Sequence, residues 1–147
     1  MIVQPMPIAQ TTLDELVRAA RTARAAAYAP YSRYRVGAAV LTATGRIFTG
    51  CNIENASYGL TVCAERVATW SAVAAGETTI LAVAVATHNG ATPCGACRQV
   101  LAEFAPGGHS PEDDVQVIIA LRQGQRTLGL FHDLLPNAFR PEHLSKE

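Results

Sequence analysis

The chain is organised around two short stretches, Cys63-Ala64-Glu65-Arg66 and Pro93-Cys94-Gly95-Ala96-Cys97-Arg98. Three cysteines in this pattern predict a tetrahedral zinc site with one corner open, because structural zinc sites are usually closed by four protein ligands. The spacing predicts that Cys63 opens one helix and that Cys94 and Cys97 open another. Free N–H groups and the positive end of the helix dipole stabilise thiolates at such positions. The two stretches therefore bring two helix N-termini to one metal site.

Glu65 follows Cys63 by two residues, where its carboxylate can face the open corner. A zinc ion lowers the pKa of a bound water to about 7, and a nearby carboxylate can carry the proton that the water gives up. This combination predicts attack on an amidine-like carbon that bears an amino group. Glu65 would take the water proton, protonate a ring nitrogen and later help to protonate the departing ammonia.

A structural zinc site or a redox dithiol is the alternative interpretation of these thiols, since Cys-x-x-Cys occurs in both. A redox pair explains neither Cys63 nor Glu65, and a structural site needs a fourth ligand. Cys51 is the one other cysteine, and we interpret it as a small buried apolar residue outside the site. A carboxylate at a helix terminus can also simply favour the dipole, which is the alternative for Glu65.

Two arginines lie close to predicted metal ligands: Arg66 comes three residues after Cys63, and Arg98 comes directly after Cys97. One or both could donate hydrogen bonds to the sulfurs and withdraw charge from them. We predict this role for Arg66. The alternative for each is an ordinary surface arginine.

The composition indicates a single domain over residues 1–147, with residues 1–10 as an extended N-terminal arm. The formal net charge is zero and charged residues make up 16% of the chain, so no electrostatic footprint for nucleic acid is visible. No apolar stretch approaches the roughly 20 residues that cross a bilayer. Residues 1–10 lack the pattern of a secretory signal, and cysteines at metal spacing suggest a reducing compartment. We therefore expect a cytoplasmic protein that binds neither nucleic acid nor membrane.

Hydrophobic patterning predicts helices that alternate with apolar strands, which is typical of an α/β sandwich around one sheet. A capping box at Thr12 opens the first helix, and Pro30 stops it. A second helix begins near Cys63 and ends at Gly76, with Val67, Trp70 and Val73 facing inward. A third helix covers residues 95–105. The predicted strands are residues 35–42, 46–51, 80–87, 115–121 and 127–131, and short helices are predicted at residues 134–136 and 141–145.

Several motifs, in this order and spacing, resemble the small homotetrameric cytidine deaminases. The main one is the stretch Cys51-Asn-Ile-Glu-Asn-Ala-Ser-Tyr-Gly-Leu-Thr-Val-Cys-Ala-Glu-Arg66, and the second is Pro93-Cys-Gly-Ala-Cys-Arg-Gln-Val100. Ala27-Tyr-Ala-Pro-Tyr-Ser32, Val36-Gly-Ala-Ala39 and Leu134-Leu-Pro-Asn-Ala-Phe139 are also similar to that family. The resemblance covers about residues 12–140. It implies a three-layer α/β/α sandwich around a five-stranded mixed sheet.

The resemblance also implies an activity, the hydrolytic deamination of cytidine and deoxycytidine to uridine and deoxyuridine with release of ammonia, as in pyrimidine salvage. One Zn²⁺ per subunit would be held by Cys63, Cys94 and Cys97, with Glu65 as the proton shuttle. In the family, residues matching Tyr58 and Phe139 reach a neighbouring subunit's site, which implies a homotetramer with shared active sites.

The resemblance further implies four substrate contacts. Asn52 and Glu54 would hold the ribose 3′-hydroxyl, and the backbone N–H of Ala64 would bind the pyrimidine carbonyl. Tyr34 stands where family members usually have Phe, as a ring packed against the base. The alternative interpretations are turn residues for Asn52 and Glu54, and core aromatics for Tyr34 and Phe139.

Three other functions compete with this prediction. A deaminase of another aminopyrimidine nucleoside, such as the blasticidin S type, resembles the chain around the thiols but not in Asn-Ile-Glu-Asn-Ala-Ser-Tyr. A polynucleotide-editing deaminase needs a basic groove, which a neutral chain does not indicate. A non-catalytic zinc or thiol module would be indifferent to the replacement of Glu65.

Overall fold

The computed structural model describes residues 7–107 and 113–144. Its helices are α1 (Gln10–Arg24), α2 (Ala64–Ala74) and α3 (Gly95–Glu103). Its strands are β1 (Gly37–Thr42), β2 (Ile47–Cys51), β3 (Ile80–Ala86), β4 (Gln116–Ala120) and β5 (Gln125–Gly129). Shorter helical turns cover Tyr58–Leu60, Leu130–Leu134 and Pro141–Leu144.

The five strands form one mixed sheet in the order β2-β1-β3-β4-β5, in which β3 and β4 are parallel and the other neighbours antiparallel. Side chains of β1 alternate between its two faces, as the period of two in a strand requires. Ala38 and Val40 pack in the core beneath α2 and α3, whereas Ala39 and Leu41 pack against α1. Helices thus cover both faces of the sheet, and the predicted three-layer α/β/α sandwich is confirmed.

The register of the sheet brings the start of β1 and the ends of β2 and β3 to the same end of the sheet. Gly37, the first residue of β1, pairs with Cys51 at the end of β2 and with Ala86 at the end of β3. Segments that adjoin these residues must therefore lie together: residues 32–36, 52–54 and 87–94. These are the segments that carry most of the predicted site.

Helix α2 lies very close to β2, and its most buried side chains are not the ones predicted. A Cβ added to Gly50 would meet the backbone N of Ala68 at 2.4 Å and the carbonyl O of Ala64 at 2.6 Å. Such an approach is possible because small residues, Ala64, Ala68 and Ala72, line the facing side of the helix. The prediction that Val67, Trp70 and Val73 face inward was wrong for Trp70, which is 48% exposed, whereas Val67 and Val73 are half-buried beside the alanines.

The capping box predicted at Thr12 was also wrong. Helix α1 begins at Gln10 after an Ala9 N-cap without a side-chain cap, and the side chain of Gln10 donates to Asp14 at 2.9 Å. The arm therefore stops short of residue 10, and its residues 1–6 lie outside the described part of the chain. The helix ends at Arg24, well before the stop predicted at Pro30, and after a turn the N–H of Tyr28 donates to the carbonyl of Asn52 at 3.0 Å.

The last strand, predicted at residues 127–131, is displaced towards the N-terminus. Asp114 accepts hydrogen bonds from the N–H groups of Phe131 and His132 at 2.8 and 3.0 Å. These bonds hold the chain in the turn Leu130–Leu134, which replaces the helix predicted at residues 134–136. Over the described residues, none of the helices combines the length and the apolar character that crossing a membrane requires.

Candidate active site

The three cysteines of the predicted metal site meet at the N-termini of two helices. Cys63 is the N-cap of α2, Cys94 is the N-cap of α3, and Cys97 lies in the first turn of α3. The backbone N–H groups in a first helical turn have no helical acceptor, and the helix dipole is positive there. Both effects favour the thiolate over the thiol.

The spacing of the three sulfurs fits a zinc ion. Two sulfurs bound at about 2.3 Å to a tetrahedral ion lie about 3.8 Å apart. The Sγ of Cys94 lies 3.8 Å from that of Cys63 and 3.5 Å from that of Cys97, and all three lie within 4.8 Å of one another. Residues 7–107 and 113–144 contribute no fourth ligand atom to this group. The three thiols are thus positioned to hold a zinc ion.

Glu65 is buried beside these sulfurs. Its side chain is only 5% exposed, and its Oε2 lies 3.8 Å from the Sγ of Cys97. Burial raises the pKa of the Glu65 carboxyl, and the negative charge of Cys63 raises it further. The site thus contains a buried carboxyl group whose protonated form is favoured more than that of an exposed glutamate.

The two arginines that follow the ligands have different partners. Arg66 donates from Nη2 to the Sγ of Cys63 at 3.3 Å. The pKa of Cys63 is lowered to about 5, by a hydrogen bond from Cys97 and by the Arg66 guanidinium. The same hydrogen bond raises the pKa of Cys97, and burial adds to the effect. Arg98 does not contact a sulfur: its three hydrogen bonds go to Pro93, Leu134 and Thr92, so a sulfur-contacting role for it was wrong.

A cavity of about 310 Å³ opens onto this cluster. Cys63, Cys94 and Glu65 line one part of it, and Val36 and Val85 add apolar wall. Tyr34, Asn52 and Glu54 line it as well, so the structure brings these predicted site residues to the same cavity. An apolar wall with a few convergent polar groups is typical of small-molecule sites.

Asn52 is held by the backbone of the segment before β1. Its Oδ1 accepts from the N–H of Val36 at 2.9 Å, and its Nδ2 donates to the carbonyl of Tyr34 at 2.7 Å. An amide group has two acceptor sites and two N–H donors, so one of each remains available to a ligand. The side chain is only 8% exposed, which fixes its orientation.

Glu54 is held by the turn before Tyr34. Its Oε1 accepts from the N–H groups of Tyr31 and Ser32 at 2.9 and 3.1 Å, and its Oε2 accepts from the Ser32 hydroxyl. The hydrogen bond from the Ser32 side chain, together with those from the two N–H groups, lowers the pKa of the carboxyl. Sequence reasoning missed Ser32, although the turn-forming Ala-Pro-Tyr-Ser pattern at residues 29–32 was a signal for it.

The ring of Tyr34 forms one wall of the cavity, and its hydroxyl has a partner. The hydroxyl donates to Oδ1 of Asn89 at 2.6 Å, and the ring meets His88 edge-on at 5.0 Å between centroids. Sequence reasoning assigned no role to Asn89, because a contact over 55 residues leaves no local signal. The extra hydroxyl of Tyr34 thus joins the segment before β1 to the loop after β3.

The other predicted substrate contacts lie in different surroundings. Ala64 is buried as the first residue of α2, so its N–H has no helical acceptor. Tyr58 is 76% exposed and lines an adjoining cleft with Tyr31 and Glu54. Phe139 is 57% exposed and stacks on His143, so the structure does not bring it to the cavity of its own chain.

Comparison with known proteins gives consistent results. Residues 10–108 match the family model described as the cytidine and deoxycytidylate deaminase zinc-binding region. The chain is 45% identical to a cytidine deaminase of Halalkalibacterium halodurans over 132 residues, 88% of this chain and 96% of that protein. It is 42% identical to a cytidine deaminase of Sporosarcina psychrophila over 135 residues, 90% and 95% of the two chains. The crystal structure of cytidine deaminase from Burkholderia pseudomallei matches with a TM-score of 0.76 and 44% identity, covering 90% of this chain and all of that one.

Proposed function

The chain belongs to the cytidine and deoxycytidylate deaminase family, and on that premise we propose that it hydrolyses cytidine and deoxycytidine to uridine and deoxyuridine, releasing ammonia. The observation that carries this proposal is the position of Glu65. Its buried carboxylate lies 3.8 Å from Cys97 Sγ and lines the same cavity as Cys63 and Cys94. That Glu65, Cys63 and Cys94 line one cavity of about 310 Å³ supports the proposal.

Zinc held by Cys63, Cys94 and Cys97 would supply Lewis acidity, which makes water nucleophilic at neutral pH. Glu65 would accept a proton from the attacking water and deliver it to the ring nitrogen next to the reacting carbon. It would then help to protonate the amino group, which leaves as ammonia. The raised pKa of Glu65 supports this role, because a carboxyl that binds a proton more readily than an exposed glutamate is better suited to take one from water.

The arginine beside the thiolates would adjust the charge of the site. Three thiolates around Zn²⁺ carry a net charge of −1, which weakens the acidity of water there. The hydrogen bond from Arg66 to Cys63 at 3.3 Å would offset part of that charge.

The polar groups around the cavity would orient the nucleoside. Asn52 and Glu54 each keep unused hydrogen-bonding capacity beside the thiol cluster, which suits recognition of the ribose 3′-hydroxyl. The N–H of Ala64 would bind the pyrimidine carbonyl at the start of α2. The Tyr34 ring would pack against the base.

We propose a homotetramer in which neighbouring chains complete each site. Large apolar side chains are exposed on the single chain, among them Tyr58, Leu60, Trp70 and Phe139. Exposed aromatic side chains are enriched at protein interfaces. Sedimentation equilibrium would test the proposal: a monomeric mass at micromolar concentration, in a protein that deaminates cytidine, would rule it out.

The remaining proposals concern the chain as a whole. We propose that residues 1–147 form a single domain, that the enzyme serves pyrimidine salvage, and that it works in the cytoplasm. A reducing compartment would keep the three thiols available for zinc. Binding partners other than nucleosides and copies of this chain are not expected, since the formal net charge of zero offers nucleic acid no basic surface.

A direct assay tests the proposed reaction. The absorbance change on deamination is followed with cytidine and with deoxycytidine, and ammonia release is measured in parallel. We expect both substrates to turn over and a zinc chelator to abolish turnover. Protein that contains one zinc per chain but releases no ammonia from either nucleoside would refute the proposal.

A further inference from the structure

Arg98 lies on the first half of α3, directly after Cys97, and its guanidinium donates in three directions. Its Nε donates to the carbonyl of Pro93 at 2.7 Å, and its Nη2 donates to the hydroxyl of Thr92 at 3.0 Å. Its Nη1 donates to the carbonyl of Leu134 at 2.8 Å. One half-buried side chain thus connects the segment that precedes Cys94 with the C-terminal part of the chain.

The segment held by Arg98 leads directly into a thiol of the metal site. Thr92 and Pro93 precede Cys94, the most exposed of the three cysteines in the cluster. Pro93 has no N–H, so its backbone can be held only through its carbonyl. The position of Cys94 Sγ relative to Cys63 and Cys97 therefore depends on how firmly that carbonyl and the Thr92 side chain are fixed.

Gln99, the next residue of α3, also contacts the C-terminal part of the chain. Gln99 donates from Nε2 to the carbonyl of Phe139 at 2.9 Å. Arg98 and Gln99 therefore hold residues 134–139 against α3 at two points, but only Arg98 also contacts the segment before Cys94. A comparison of Arg98 and Gln99 variants can therefore separate the anchoring of residues 134–139 from the positioning of Cys94.

We propose that Arg98 is a positioning residue that keeps Cys94 in metal-binding geometry through its bonds to Thr92 and Pro93, while it also anchors residues 134–139 to α3. The proposal rests on the ligand assignment made under the proposed function. Arginine suits this role because its rigid planar fork satisfies several acceptors at once, whereas the single ammonium of lysine cannot span all three. Without the guanidinium group, Thr92 and Pro93 lose their hydrogen bonds to α3. Cys94 is then held less firmly, so zinc should leave the site more readily.

The test compares Arg98→Met, Arg98→Lys and Gln99→Met with the wild type, and uses Arg18→Met on the exposed face of α1 as a control. Zinc transfer to a chromogenic chelator is timed at 25 °C, with circular dichroism to verify folding. Replacing groups that orient metal ligands typically costs about 10–100-fold in metal affinity or activity. We expect zinc release that is faster by about that factor in Arg98→Met, with partial recovery in Arg98→Lys. Gln99→Met and Arg18→Met should release zinc at the wild-type rate.

Hydrogen exchange gives a second readout that does not depend on zinc release. Arg98→Met should speed exchange both in residues 92–97 and in residues 134–139, whereas Gln99→Met should speed it in the second segment alone. A structural role without a link to the metal would lower the melting temperature but leave zinc release unchanged in the folded protein.

A zinc-release rate in folded Arg98→Met equal to that of the wild type would overturn the proposal. If Arg98→Met does not fold, Thr92→Val, which removes one of the three bonds, takes its place. We then expect a smaller acceleration, and an unchanged rate would overturn the proposal equally. Wild-type protein that holds zinc but releases no ammonia would refute the proposed function, yet the zinc-release comparison would still decide the role of Arg98.

Discussion

The carboxylate Oε2 of Glu65 lies 3.8 Å from the Sγ of Cys97, although the two residues are 32 positions apart in the sequence. Glu65 belongs to the first turn of α2 and Cys97 to the first turn of α3. The two helices therefore bring a proton-transfer group of one to a thiol of the other. Because the carboxyl is buried and its pKa raised, it is suited to exchange protons rather than to remain a fixed charge.

Replacing Glu65 with Gln should separate catalysis from metal binding. Gln has the same size and fits the same buried position, but it cannot accept and return a proton. General acid–base groups contribute about 10²–10⁴-fold to rates, so we expect kcat for cytidine to fall by at least about 100-fold. Zinc content, measured by atomic absorption, should remain at the wild-type level.

The matched control for this change is Glu15→Gln, on the exposed face of α1, which should leave kcat unchanged. A variant Glu65→Gln with full activity would show that Glu65 is not the proton shuttle. A variant without zinc would leave the fall in kcat open to another cause, so zinc content is measured on the same preparation.

Sequence reasoning located the parts of the site that depend on local pattern. The two thiol stretches predicted two helix N-termini, and Cys63 and Cys94 are the N-caps of α2 and α3. The nearly continuous apolar runs predicted β3 and β4, because a strand buried on both faces has no polar side. The roles assigned to Tyr58 and Phe139 stay predictions, since both side chains lie exposed on the single chain.

What the sequence could not predict depends on contacts between distant residues. Helix α2 has both an alanine stripe and a stripe that contains Val67, Trp70 and Val73, and hydrophobicity alone favours the larger one. The close approach of Gly50 to the backbone of Ala64 and Ala68 places the alanine stripe deepest, because small side chains let the helix lie against β2. In the same way, the partners of Arg98 lie up to 36 residues away, so its position beside Cys97 pointed to the wrong contact.

The contact between Gly50 and α2 predicts a large effect of a single methyl group. A Cβ at residue 50 would lie 2.4 Å from the backbone N of Ala68, and backbone cannot move aside as a side chain can. Overpacking typically costs about 1–3 kcal/mol. We expect Gly50→Ala to lower the free energy of unfolding in urea by at least this amount. It should also lower zinc affinity, because α2 carries Cys63 at its N-terminus.

Gly59→Ala is the control for this substitution, because no heavy atom lies within 4 Å of a Cβ added there. It should change the free energy of unfolding little. If Gly50→Ala and Gly59→Ala have the same stability, the helix is free to move away from the sheet and the close packing is not required.

The hydrogen bond from Tyr34 to Asn89 predicts an energetic coupling between two segments that line the cavity. Tyr34→Phe removes only the hydroxyl and should cost about 0.5–1.5 kcal/mol, the usual net contribution of one hydrogen bond. Asn89→Ala should cost somewhat more, because the same Oδ1 also accepts from the Thr87 hydroxyl at 3.3 Å. Once one partner is gone, removal of the other should cost clearly less, so the double variant should be more stable than the sum of the single changes implies.

Urea unfolding of the wild type, both single variants and the double variant measures this coupling. Strictly additive effects would show that the 2.6 Å contact contributes nothing to stability in solution. Because Tyr34 lines the cavity, KM for cytidine is measured in the same four proteins. We expect each single variant to raise KM.

The hydrogen bonds to Glu54 predict how stability depends on pH. Hydrogen bonds from the Ser32 side chain and from two backbone N–H groups lower the pKa of Glu54 below its ordinary value of 4.5 in the folded protein. A lowered pKa means that the folded state favours the ionised form, so the contribution to stability is fully present above pH 4.5. It is lost as the pH falls through the lower pKa of the folded state.

Glu54→Gln removes the titrating group while keeping the side-chain size. The difference in Tm between wild type and Glu54→Gln should therefore be largest above pH 4.5 and should narrow steadily as the pH falls below it. Glu77, whose pKa is also lowered, mainly by a hydrogen bond from Thr44, titrates in both proteins and cancels in the difference. Thermal unfolding by circular dichroism across this range measures the effect. A difference in Tm that stays constant as the pH falls would mean that the Glu54 carboxylate is not held by the turn at residues 31–32 in solution.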